Sequence, residues 1–109
     1  MSPDLPKPIF STRCDDPGAS EALDQFVIAL AERIDVIQDA EAAGDFTQLS
    51  ALAGSLATDA EATGYGALAT AAHALEAACF SGDPKLARES TIDITEITQR
   101  IRLGHKGAA

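Results

Sequence analysis

The sequence predicts an all-α fold, an antiparallel up-down-up-down four-helix bundle with an extended N-terminal leader. Apolar residues recur at spacings of three and four, which is the period of a helix that buries one face. Gly44, Gly64 and Gly82 interrupt this period and divide the chain into four helical segments. The links between segments are only a few residues long, so consecutive helices must be antiparallel neighbours. The 109 residues suffice for one domain with its own core.

The chain is predicted to begin with a leader, residues 1–15, that can pack one short turn on the body. The leader has few apolar residues and three prolines, Pro3, Pro6 and Pro8. Asp16-Pro17 is the predicted cap and first residue of the first helix, and Ser20 is the rival cap. The apolar stripe of this helix consists of Leu23, Phe26, Val27, Leu30, Ile34, Ile37 and Ala40.

The second and third helices follow the same pattern. Asp45 with Gln48 is predicted to form a capping box at the start of the second helix, which ends at Gly64. Its stripe consists of Leu49, Leu52, Ala53, Leu56, Ala60 and Thr63. The third helix follows Tyr65-Gly66, and its stripe consists of Leu68, Ala71, Ala72, Leu75, Ala78 and Cys79. The many alanines allow these two helices to approach each other closely.

The fourth helix is predicted to start at Asp83-Pro84, a cap and first residue like those of the first helix. Its predicted stripe consists of Leu86, Ser90, Ile94, Ile97 and Ile101. The β-branched stretch from Thr91 to Thr98 also fits a strand, but a lone strand among helices would have no partner. The bundle is therefore expected over residues 16–103, and residues 104–109 are expected to form a flexible tail.

Acidic residues dominate the charge of the chain, since seventeen Asp and Glu against eight Lys and Arg give a formal net charge of -9. No basic stripe is left to neutralise a phosphate backbone, which argues against nucleic acid and anionic membranes as partners. The N-terminus lacks the apolar stretch of a signal peptide, and no apolar run is long enough to span a bilayer. We expect a cytoplasmic protein. Cys14 and Cys79 are not expected to pair, because one is predicted at the surface and the other in the core.

Gly54 is the least expected residue of the second helix. A glycine in an exposed helix interior costs about 0.5–1 kcal/mol relative to alanine, so its presence needs a reason. The helical period places Gly54 roughly opposite the buried stripe, on a face of small and mostly neutral side chains. The other predicted members of this outer face are Thr47, Ser50, Ser55, Ala57, Thr58 and Glu61.

Around Gly54 the chain resembles the histidine-containing phosphotransfer (Hpt) domains of bacterial phosphorelays. These are small helical bundles in which an exposed histidine receives a phosphoryl group and passes it on. The family pattern L-A-H-x-L-K-G corresponds here to Leu52-Ala53-Gly54-Ser55-Leu56-Ala57-Thr58. Gly64-Tyr65 follows where the family commonly has a glycine and an aromatic residue. Apolar spacing and turns extend the resemblance over residues 9–101.

The resemblance implies the fold of the family but argues against its chemistry. Gly54 stands in the register of the phosphoacceptor and has no side chain to act as a nucleophile. Ala57 replaces a lysine that would help to neutralise the phosphoryl group, and Thr58 replaces a glycine that lets a partner approach. Glu61 adds a negative charge that would repel phosphate. All three signature positions depart from the pattern.

His73 is the alternative phosphoacceptor, because it lies off the apolar stripe of the third helix and is expected to be exposed. No lysine lies one turn away, so an ordinary surface residue is the favoured interpretation. His105 in the tail is a weaker candidate. His73 and Glu76 have the i, i+3 spacing found in bundle metal sites, but the core stripes supply no matching ligands. Neither a metal nor another cofactor is expected.

The sequence thus predicts a non-catalytic Hpt-like interaction module that is not an enzyme. Its predicted partner is a response-regulator receiver domain or a histidine kinase, which docks on the face around Gly54 without exchanging phosphate. The module is expected to be a monomer. Two alternatives stay open: an active phosphotransfer protein that uses His73, and a helical adaptor with no link to phosphorelays. Drift at a surface site is the alternative interpretation of Gly54.

Overall fold

The computed structural model describes residues 7–13, residue 18 and residues 20–107. Its elements in chain order are α1 (Ser20–Ala43), α2 (Phe46–Ala62), α3 (Gly66–Ser81) and α4 (Pro84–Gly107). Each helix packs against the next along the chain, and α4 returns to pack against α1. This arrangement confirms the predicted up-down-up-down bundle. None of the four helices combines the length and apolar character that crossing a bilayer requires.

The first three helices end at glycines, as predicted. Gly44, Gly64 and Gly82 have φ values of 69°, 81° and 68°. Only glycine adopts this left-handed conformation without steric cost, so each glycine stops its helix and turns the chain. At the start of α2 the Asp45 carboxylate accepts a hydrogen bond from the backbone N–H of Gln48 at 3.1 Å. Asp83 caps α4 in the same way, through the backbone N–H of Leu86 at 3.2 Å.

The core runs along the axis of the bundle and is built from leucine and isoleucine with many alanines. Its largest fully buried side chains are Leu30, Ile37, Leu49, Leu56, Leu68, Leu75, Ile94 and Ile101. Many of the buried side chains of α2 and α3 are alanines, among them Ala53, Ala57, Ala60, Ala69 and Ala72. Small side chains let two helices approach closely, and these two share the most extensive contact in the bundle. We call this contact the α2–α3 seam.

The C-terminal end of the predicted bundle differs in the structure, and the predicted N-terminal end lies partly outside the described residues. Helix α1 begins at Ser20, the rival cap, and Asp16-Pro17 lies outside the described residues. Helix α4 continues to Gly107, so the first residues of the predicted tail are helical. Gly104 is buried within this extension and does not adopt the positive φ of the three helix-ending glycines.

At three turns of α4 the buried residue lies one position later than the predicted Leu86, Ser90 and Ile97. The buried residues of α4 are Ala87, Thr91, Ile94, Thr98, Ile101 and Gly104. Leu86 is 48% exposed, whereas the prediction placed it in the core. The prediction preferred Leu86 to Ala87 and Ile97 to Thr98, the larger apolar side chain of each pair, but the smaller residue is the buried one.

Residues 7–13 form an N-terminal strap that packs across one end of the bundle. The N–H of Ile9 donates to the carbonyl of Arg100 at 2.9 Å, and the N–H of Thr12 donates to the carbonyl of Gly64 at 3.0 Å. Ser11 is buried, and its hydroxyl donates to the carbonyl of Thr63. The strap therefore joins the end of α2 to the last turns of α4.

Candidate functional site

Gly54 lies in the middle of α2 and faces α3, where it is half-buried. A Cβ on this residue would be 2.8 Å from Oε2 of Glu76 and 3.6 Å from its Cδ. The carboxylate of Glu76 thus reaches across the α2–α3 seam and lies directly over the glycine. The sequence did not reveal this close approach, in which the space left by the missing side chain is occupied by the flexible end of Glu76.

Ala57 corrects the predicted outer face, because it is fully buried in the α2–α3 seam. It follows Gly54 by three residues and so lies on the same side of α2, where α3 covers it. The solvent-exposed face of α2 therefore includes Thr58 rather than Ala57. The Thr58 hydroxyl donates to the carbonyl of Gly54 at 3.1 Å, so its methyl group and Cα surface are what a partner would meet.

The rest of the predicted face is accessible. Thr47, Ser55, Thr58 and Glu61 are exposed, and Ser50 is half-buried. Arg33 of α1 lies along one edge, where its guanidinium binds Asp59 at 2.8 Å and donates to the Ser55 hydroxyl at 3.3 Å. The same guanidinium is 5.9 Å from the ring centroid of Phe26. The face is thus bounded by a cation on the α1 side and by Glu76 on the α3 side.

His73 is exposed on α3, as predicted, and lies between two carboxylates. Its Nε2 is 2.8 Å from Oε1 of Glu61 on α2, and its Nδ1 is 3.5 Å from Oε1 of Glu76. The hydrogen bond to Glu61, followed by the contact with Glu76, raises the pKa of His73 above its ordinary value. This Glu61–His73–Glu76 cluster spans the α2–α3 seam beside Gly54.

The charges of the cluster bear on whether His73 can attack a phosphoryl group. Carboxylates on both sides favour the imidazolium, in which both ring nitrogens carry hydrogen. Neither nitrogen then has a lone pair with which to attack phosphorus. In the neutral form, the nitrogen that keeps its hydrogen is expected to donate to Glu61, the closer carboxylate, and the other nitrogen then faces Glu76. A phosphoryl group on either nitrogen would lie against a negative charge.

Two residues of this surface were missed or misplaced by sequence reasoning. Glu76 was considered only as a metal ligand, and nothing in the sequence of α2 indicated that it covers Gly54. Phe80 follows Glu76 by one turn on the same side of α3 and is 76% exposed. A signal was available, because His73, Glu76 and Phe80 are spaced by three and four residues and so define a second face beside α2.

The described ranges contain no group of three or more His, Cys, Asp or Glu side chains placed to bind a metal ion. Cys79 is a buried free thiol whose pKa is raised, first by burial and then by the charge of Glu76. Cys14 lies outside the described residues, so the absence of a disulfide stays a prediction. His105 is not in a disordered tail: its Nε2 is 3.0 Å from Oδ1 of Asp24 on α1.

The comparison with protein families agrees with this fold. The family model described as Hpt domain matches residues 21–103, a range that begins one residue after the start of α1 and reaches into α4. No curated protein and no solved structure matches the chain. The matched range contains Gly54, Glu61, His73 and Glu76, while the N-terminal strap lies outside it.

Proposed function

Since this chain belongs to the Hpt domain family, we propose that it is an interaction module that docks a receiver domain or a histidine kinase without carrying phosphate. Membership of the family implies involvement in phosphorelay signalling, because Hpt domains interact with receiver domains and histidine kinases. They are phosphotransfer modules rather than catalysts of a reaction of their own. Two features of the proposal are specific to this chain: it does not accept a phosphoryl group, and it keeps the surface on which partners dock.

The contact between Gly54 and Glu76 carries the proposal. A phosphoacceptor needs an accessible nucleophile and positive charge beside the phosphoryl oxygens. The position in register has neither, and a carboxylate occupies the adjacent space. Two unit charges 4 Å apart repel each other by about 1 kcal/mol in water and about 4 kcal/mol near a protein surface. A phosphoryl group at this position would therefore be disfavoured even if a nucleophile were supplied.

The docking surface consists of the exposed small side chains of α2 and the exposed end of α3. Along α2 it comprises Thr47, Ser55 and Thr58. Small side chains let the backbone of a partner helix approach α2 closely. Phe80 supplies a large apolar side chain beside them, of the kind that anchors protein interfaces. Ala57, which is buried, supports this surface from beneath and does not belong to it.

A binding assay with a matched pair of variants tests the proposal. Receiver domains and histidine kinases of the host are screened by calorimetry against the wild type, and each binder is then tested with Thr58→Arg and Gln99→Arg. Gln99 is exposed on α4, which lies diagonally across the bundle from α2. We expect Thr58→Arg to weaken binding by about tenfold or more, as a bulky charge at an interface centre does, and Gln99→Arg to leave it unchanged.

A phosphotransfer assay distinguishes the remaining alternatives. The wild type is incubated with each phosphorylated partner and analysed for acid-labile phosphate on the protein. We expect none. Label that disappears in His73→Ala would show an active phosphotransfer protein and contradict the proposal. Failure to bind any receiver or kinase, or equal loss of binding in Thr58→Arg and Gln99→Arg, would contradict the docking surface and favour an adaptor outside phosphorelays.

A further inference from the structure

The carboxylate over Gly54 would meet any side chain introduced at that residue. Its Oε2 is 2.8 Å from the position of a Cβ, which is closer than a carbon and an oxygen approach without a shift. Glu76 is flexible at its far end, and 30% of its side chain is exposed, so the carboxylate can move aside but remains close. An imidazole at residue 54 would thus lie beside an anion.

We propose that Glu76 is a specificity-determining residue: a histidine restored at residue 54 becomes a phosphoacceptor only when Glu76 is changed as well. The inference rests on the proposed function, because it treats the surface as one that has lost phosphotransfer. It adds that phosphotransfer is prevented by two residues on different helices, Gly54 on α2 and Glu76 on α3. Restoring a histidine at residue 54 alone does not restore phosphotransfer.

The chemistry of a carboxylate next to imidazole supports this role. Hydrogen bonding to a carboxylate favours the imidazolium, which lacks the lone pair that attacks phosphorus. His73 already experiences this effect, because Glu61 and Glu76 raise its pKa. Once a phosphoryl group were attached, the same carboxylate would repel its oxygens. Glu76 therefore opposes both the attack and its product.

Ala57 is buried at the residue where the family pattern has a lysine that neutralises the phosphoryl group. In the family pattern a lysine three residues after the histidine neutralises the phosphoryl group. Ala57 is fully buried under α3, so a lysine there would have to displace the helix contact to bring its ammonium to the surface. With no cation available at this residue, removal of the anion is the route that the structure leaves open.

The test uses potassium phosphoramidate as the phosphoryl donor, so it needs no protein partner. A neutral imidazole nitrogen forms the new N–P bond, the P–N bond of the donor breaks, and ammonia leaves with the donor's own hydrogens. The variants are Gly54→His alone, Gly54→His with Glu76→Gln, and Gly54→His with Glu89→Gln. Glu89 is an exposed residue of α4, so the last variant matches the charge change at a remote site.

We expect Gly54→His with Glu76→Gln to gain acid-labile phosphate about tenfold faster than Gly54→His alone, because more of the imidazole is neutral. The Glu89→Gln control should behave like Gly54→His alone. In NMR titrations the introduced imidazole should have a lower pKa with Glu76→Gln than without it, a change that a merely structural role of Glu76 would not produce. Thermal denaturation establishes that each variant folds, and Glu76→Ala serves as a second variant if Glu76→Gln does not.

Equal labelling rates with and without Glu76, or an unchanged pKa of the introduced imidazole, would overturn the inference. Absence of label from all variants would also overturn it. These outcomes are separate from failure of the proposed function, which would appear as label on the wild type or as absence of partner binding.

Discussion

Two buried threonines of α4 differ in whether their hydroxyl groups are satisfied. Thr91 and Thr98 are equally buried. The Thr91 hydroxyl donates to the carbonyl of Ala87 at 2.9 Å, while the Thr98 hydroxyl has no hydrogen-bond partner within the described part of the chain. An unpaired buried hydroxyl carries a desolvation penalty that an isosteric apolar group avoids. An apolar side chain of the same shape at residue 98 would therefore make the protein more stable.

We predict that Thr98→Val raises the free energy of unfolding by about 1 kcal/mol, because it removes the unpaired hydroxyl and keeps the β-branched shape. Urea denaturation followed by circular dichroism measures the change. Thr91→Val is the matched control, since it replaces the same residue type on the same helix but removes a hydrogen bond. An equal or larger gain in Thr91→Val would contradict the explanation.

The pKa of His73 is a second prediction at this scale. Glu61 is the larger cause of its upward shift and Glu76 the smaller, so Glu61→Gln should lower the pKa more than Glu76→Gln. Because the folded pKa is raised, the resulting stabilisation is present in full below the unfolded pKa and is lost as the pH rises through the folded value. NMR titration of the His73 ring protons gives both pKa changes. An unchanged titration in Glu61→Gln would exclude the observed ion pair in solution.

The spacing of apolar residues predicted the four helices well. It did not predict which faces of each helix are covered by the neighbouring helices. The four helices and their glycine stops were visible from the sequence, because spacing and caps are local properties. Ala57 was misplaced because a helical wheel drawn for α2 alone shows one buried stripe, whereas α1 and α3 cover two sides of the helix. Leu86 was misplaced because the prediction preferred the larger apolar residue over the better fit.

The N-terminal strap depends on a glycine of another element. A Cβ on Gly104 of α4 would collide with the carbonyl oxygen of Ile9, and this contact involves backbone, which cannot rotate away. The strap therefore reaches α4 only because residue 104 has no side chain. The prediction of a frayed tail missed this, since it considered glycine as a helix stop and not as a place of close approach.

We predict that Gly104→Ala displaces the strap and lowers the free energy of unfolding, although alanine alone would favour the helix by about 1 kcal/mol. The hydrogen bond from Ile9 to Arg100 should be lost, and hydrogen exchange at the Ile9 amide should speed up. Gly66→Ala at the start of α3 is the control, because nothing lies within 4 Å of its Cβ position. A Gly104→Ala variant more stable than the wild type, with a protected Ile9 amide, would contradict the strap contact.

At the scale of the whole molecule, the family could be predicted from the sequence but the charge of its central surface could not. The spacing around Gly54 indicated the fold, and the family match over residues 21–103 confirms it. The Glu61–His73–Glu76 cluster joins two helices, so its geometry follows from how α2 and α3 pack. Local spacing suggested only that His73 and Glu76 share a face. The charge of this surface is thus a property of the packed α2–α3 seam rather than of any single residue.

The last prediction concerns the exposed apolar side chains of the folded domain. Phe80 and Ile92 are 76% and 56% exposed, so neither contributes much to the core, and replacing either with alanine should leave the thermal stability nearly unchanged. They differ in position, because Phe80 lies on the α3 part of the proposed docking surface whereas Ile92 lies on α4, diagonally across from α2. If a receiver or kinase binds over α2 and α3, Phe80→Ala should weaken its binding by about tenfold or more, as loss of an aromatic anchor does, and Ile92→Ala should not.

Calorimetric titration of both variants with the same partner makes the comparison. Equal affinity of Phe80→Ala and wild type would move the partner away from the end of α3, and a selective loss in Ile92→Ala would place it on the opposite side of the bundle.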